Sequence, residues 1–217
     1  AIYNEGLFGF GVTDGATPNA YNWGTAEIIN KLGAGRLSSG DKGIVTFRWT
    51  RCYEIISRAN FLLANLDLIN LPEEKKKMYL GEAHFLRGLA YSVLAETYGG
   101  VPLILSDISS EEARQLKRAS LDETWQQVLD DYEVAINHLD VDAPEPGRAT
   151  KGAALGMKMR AYLYQGKYKE VLSCVEQIDA LKKYGLFHSY EGLFDPENEN
   201  NKAVSYTHLR AHETCAD

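Results

Sequence analysis

The sequence predicts an all-α chain. It reads as irregular, tetratricopeptide-like helical pairs over about residues 46–182, behind a loop-rich N-terminal region. Two observations carry this reading. Apolar residues recur at spacings of three and four in five successive segments. Helix-starting and helix-breaking residues stand at the ends of those segments.

Residues 1–45 are rich in Gly, Asn, Thr and aromatics, with poor periodicity, so they read as loops with one or two helical turns. Thr25–Leu32 is the one stretch there with the pattern of a short helix. From about Thr46, the residues Trp49, Tyr53, Ile56, Asn60 and Leu63 mark one face of a helix. Asn70-Leu71-Pro72 ends it, and Pro72 suits the first turn of the next helix because its missing N–H is one that a helix start leaves unpaired anyway. Glu73 and Glu74 follow at the positive end of that helix. Its stripe is Ala83, Leu86, Ala90 and Leu94, and Phe85, Leu89 and Tyr91 imply cover on a second side. Gly99-Gly100 stops it, and Val101-Pro102-Leu103 leaves as an extended piece.

The polar stretch from Ser106 to Arg118 reads as a linker. Ser120-Leu121-Asp122-Glu123 is a capping box, and Trp125, Val128, Tyr132, Ala135 and Leu139 form the stripe of the helix it starts. An acidic, Pro-containing loop from Asp140 to Gly147 precedes a helix over about Thr150–Tyr164. After the tight turn Gly166-Lys167-Tyr168, a last helix runs to about Leu181, and the chain is irregular beyond it. Trp49, Tyr53, Trp125 and Tyr132 are expected in the core. Asn60, Glu82 and Arg87 lie among apolar neighbours and are expected in a buried hydrogen-bonded network, because such groups must be paired when water is excluded.

Composition narrows the function. A chain of 217 residues suits one domain or two small ones and needs no staple. Lys+Arg 23 against Asp+Glu 30 gives a net charge of −7, which argues against a nucleic-acid binder. No run approaches the ~18 apolar residues of a membrane span. Three widely spaced cysteines form neither a disulfide framework nor a CxxC motif. No phosphate loop, Gly-x-Ser-x-Gly elbow or His-Glu-x-x-His is present, and Gly33-x-Gly35 lacks its third glycine. His208 and His212 share a helical spacing but have no third ligand, and Asp195–Asn201 lacks the glycine and terminal glutamate of a calcium loop. No cofactor or metal is expected, and no enzymatic activity.

Trp125-x-x-Val128-Leu129-x-x-Tyr132 and Gly166-x-Tyr168-x-x-Val171 resemble parts of tetratricopeptide units, but no clean 34-residue period exists. Four blocks together resemble the SusD/RagB family of outer-membrane nutrient-binding lipoproteins. The first is Trp49-x-x-Cys52-Tyr53-x-x-Ile56-x-x-Ala59-Asn60. The second, and most specific, is Gly81-Glu82-Ala83-His84-Phe85-Leu86-Arg87 running on to Tyr98-Gly99-Gly100-Val101-Pro102-Leu103. The third is Arg118-Ala119-Ser120 with Trp125 and Val128 to Asp131. The fourth is Gly147-Arg148-Ala149-Thr150-Lys151 through Ala161-Tyr162-Leu163-Tyr164 to the Gly166 turn. Tyr190-x-x-Leu193-Phe194 also fits the family.

The resemblance spans about Trp49 to Asn201. It implies that residues 1–204 are a piece of one SusD-like domain, with the signal peptide and lipid-bearing cysteine before Ala1. Residues 205–217 are expected to be a non-native or unstructured tail. The resemblance also implies binding rather than catalysis: capture of oligosaccharides, or of peptides in the RagB branch, at the extracellular face of the outer membrane. Delivery would be to a TonB-dependent transporter of the SusC type, with membrane attachment only through the lipid anchor. A tetratricopeptide-type scaffold that merely docks a protein stays open as another reading. A sugar site needs flat rings beside amide and carboxyl groups, and the N-terminal loops offer that mix in Trp23, Tyr21, Asn22 and Asp14.

Overall fold

The computed structural model describes residues 17–18, 27–38, 40–41, 43–185, 189 and 191–195. The chain divides into two units, Ala1–Glu54 and Ile55–Asp217. Among the described residues the regular structure is helical throughout: α1 (Glu27–Gly33), α2 (Ile44–Asn65), α3 (Glu73–Tyr98), α4 (Ser110–Gln115), α5 (Leu121–His138), α6 (Lys151–Tyr164) and α7 (Tyr168–Ala180), with short 3-10 turns at Leu66–Leu68 and Glu191–Phe194. The division falls inside α2.

In the first unit, α1 matches the helix expected over Thr25–Leu32. Its Ile29 is buried, with Ile28, Leu32 and Val45 packed around it. The turn after α1 is tied by Asp41, whose carboxylate accepts from the Lys31 ammonium at 3.1 Å and from the Ser38 N–H at 2.7 Å. Trp49 and Tyr53, expected in the core, are half-buried, with ring centroids 5.0 Å apart and ring planes tilted by 44°.

In the second unit α5 packs on α3, α6 on α5 and α7 on α6. Side-chain partners give the directions. His138 and Leu139, at the end of α5, lie against Gly81 near the start of α3, while Tyr132 lies against Gly88 and bonds Ser92. The Asp140 backbone carbonyl accepts from the Lys151 N–H at 2.8 Å, Lys158 pairs with Glu133, and Trp125 meets Tyr164. Thr150 meets Tyr184 across the far end of α7, while Lys167 at its start lies over Tyr162. Each neighbouring pair is therefore antiparallel, the arrangement of tetratricopeptide-like repeats.

The α5 stripe falls where the spacing put it: Trp125, Val128, Tyr132, Ala135 and Leu139 are all buried. On α3, Ala83, Ala90 and Leu94 are buried, and Phe85, Leu89 and Tyr91 give the second covered side. Leu86 departs from its expected place and is 43% exposed. The buried run Arg87–Ala95 wraps most of the helix, so one four-residue stripe was too narrow a description of it. The linker expected over Ser106–Arg118 contains α4. A second capping box starts that helix: the Ser109 side chain accepts from the Glu112 N–H, and Glu112 accepts from the Ser109 N–H at 2.8 Å.

Glycine is required where chains meet closely. A Cβ on Gly88 would lie 3.0 Å from the Tyr132 ring and 3.1 Å from the Asp131 Cβ. One on Gly100 would strike the Ala119 carbonyl oxygen and lie 2.7 Å from the Ser120 carbonyl carbon, which is backbone and cannot swing away.

Candidate functional site

The described helices pair their buried charged and polar side chains with one another and with backbone. Arg87 of α3 and Asp131 of α5 are 5% and 1% exposed. The guanidinium donates from Nε to Oδ2 at 3.0 Å and from an Nη to Oδ1 at 2.7 Å. Its other Nη donates to the Asn60 side-chain oxygen at 2.7 Å and to the Leu105 carbonyl at 3.2 Å. His84 Nδ1 lies 2.7 Å from Asp131 Oδ1. An ionised carboxylate only accepts, so this contact assigns the proton to Nδ1. Burial pushes the Asp131 carboxyl upward. The bonds from His84 and Arg87, with the guanidinium charge, outweigh burial and hold the group below the usual carboxylate range.

The same groups fasten the extended segment that leaves α3. Asn60 donates to the carbonyls of Ile104 and Ser106 at 2.8 and 3.1 Å. The Tyr91 hydroxyl donates to the Ile104 carbonyl at 3.0 Å and accepts from the Ile104 N–H at 2.6 Å. Burial pushes that phenol up to about 12, so it stays a donor at ordinary pH. Thr124, 0% exposed, accepts from the Val101 N–H at 3.3 Å and donates to the Ser120 carbonyl at 2.9 Å. Backbone that would go unpaired as a lone strand is thus satisfied by side chains.

Two further arginines make contacts of their own. Arg118 donates to the carbonyls of Gly100 and Tyr98 at 2.7 and 2.5 Å, capping the end of α3. Arg148 grips Glu82 through two bonds, at 2.7 and 2.5 Å, and lies over the Tyr79 ring. Glu82, Arg87 and Asn60 were expected in one network. Asn60 and Arg87 are joined, whereas Glu82 pairs separately with Arg148.

Asp131 was not singled out as Arg87's partner by sequence reasoning, although it is signalled. It stands three residues after Val128 and four before Ala135, a helical spacing that puts a carboxylate on the apolar face. His84 and the Leu105 carbonyl carry no such signal, because their contacts depend on how α3, α5 and the extended segment meet.

Every polar group named here is spent on another part of the scaffold, so these contacts hold helices and a strap in register. The side chains expected to contact ligand, Asp14, Tyr21, Asn22 and Trp23, lie outside the described residues. The tail expected over 205–217, His208 and His212 lie outside them as well.

The motif blocks of the sequence are the partners of one another in space. Asn60 of the first meets Arg87 of the second, which meets Asp131 of the third. Arg118 of the third closes on Tyr98 and Gly100, and Arg148 of the fourth grips Glu82. The model of the SusD-like family described as "starch-binding associating with outer membrane" matches residues 16–163, more than half of the chain. The chain belongs to the SusD-like family.

A curated SusD-like protein of Formosa agariphila is 26% identical over 189 residues, which is 86% of this chain and 35% of that protein. The crystal structure of a SusD-like protein from Bacteroides fragilis superposes with a TM-score of 0.74 and 28% identity, over 79% of this chain and 34% of that one. A SusD-like carbohydrate-binding protein from the same species gives a TM-score of 0.74 and 28% identity, over 82% and 36%. The chain thus spans about a third of the length of these relatives, and over that span it has the helical architecture of the SusD-like family.

Proposed function

We propose that this chain is part of a non-catalytic, cell-surface protein that binds oligosaccharides and hands them to a TonB-dependent transporter of the SusC type. The observation that carries the reading is membership of the SusD-like family, whose model describes starch binding at the outer membrane. The SusD-like carbohydrate-binding protein of Bacteroides fragilis supports the same ligand class. No helix of the described residues is long and apolar enough to cross a membrane.

The geometry supports a division of labour. The Arg87, Arg118, Arg148 and Asp131 side chains are engaged in holding helices together, so recognition falls to loops. Sugars are neutral and heavily hydrated. Affinity must then come from ring stacking and directed hydrogen bonds, at dissociation constants on the order of 10⁻⁵ to 10⁻³ M, or about 4 to 7 kcal/mol. In this reading Trp23 is the main stacking platform, Tyr21 the second, and Asn22 and Asp14 the hydroxyl partners.

The test is isothermal titration with a full-length version against starch, laminarin and xyloglucan oligosaccharides and against peptides. Trp23→Ala should remove most measurable glycan binding, since one platform worth ~2 kcal/mol is a large part of so small a total, while the helical circular-dichroism signal stays. Glycan binding unchanged by the substitution would move the site out of residues 14–23. Binding of peptides with no glycan response would overturn the ligand class.

A further inference from the structure

We draw no further inference here: the strongest candidate, the exposed apolar face of α7 formed by Tyr168, Leu172 and Val175 with Leu163 and Tyr164 at the end of α6, carries nothing because nothing in the structure shows what covers it.

Discussion

Replacing Asp131 by alanine would leave the Arg87 guanidinium buried without its counter-ion. The Asp131 and Arg87 side chains are 1% and 7% exposed, so water does not take the lost partner's place. Asp131 accepts from the guanidinium through both oxygens and from His84, and all of these bonds go at once. Breaking one side of a buried pair costs about 3–5 kcal/mol, because a desolvated charge is stranded rather than because the pair is worth that much. Asp131→Ala is expected at that level, read as a fall in the urea midpoint with unchanged slope, followed at 222 nm.

The double variant Asp131→Leu/Arg87→Met should recover part of the loss, leaving about 1–3 kcal/mol, since Asn60 and the Leu105 carbonyl still lose their donor. The pH dependence has a definite sign. The folded-state pKa of Asp131 lies below its unfolded value, so the stabilisation is fully present above roughly pH 4 and is lost as pH falls through the folded pKa. The gap between the native protein and Asp131→Ala should therefore narrow as pH falls below about 4. A cost under about 1 kcal/mol at neutral pH, or a gap that widens in acid, would refute the reasoning.

Other consequences follow from single contacts. Tyr91→Phe keeps the buried ring but strips Ile104 of both its hydroxyl bonds, and should cost about 1–3 kcal/mol in the same unfolding assay. Gly100→Ala forces a methyl against the Ala119 carbonyl and the Ser120 backbone; a loss of about 1–3 kcal/mol is expected, and a neutral result would show that the α3 exit relaxes freely. Ser120→Ala removes the acceptor for a free N–H at the start of α5 and should lower stability by about 1 kcal/mol. Leu172→Lys, at a site 63% exposed, should change stability by no more than about 0.5 kcal/mol, and a larger loss would mean that the α7 face is covered in solution.

Much of the helical framework was legible from residues alone. The period of the stripe from Trp125 to Leu139 is a local property, and burying that face is the only way α5 can remove it from water. The start of α5 was equally legible, because a capping box is satisfied by backbone three residues away. The same box at Ser109 stands inside a polar stretch: α4 is only six residues long and has no apolar stripe to announce it. Leu86 was misplaced because α3 is covered around most of its circumference, so that its apolar residues do not reduce to one face. Membership of the family was legible in the Glu82-to-Leu103 run, but the reason those residues occur together was not. Tertiary structure alone decided that Arg87 takes Asp131, 44 positions away, and that Glu82 takes Arg148, 66 positions away. Periodicity fixes which face a side chain occupies; which charge it meets depends on the approach and register of another helix, and that is set by the packing of the whole unit.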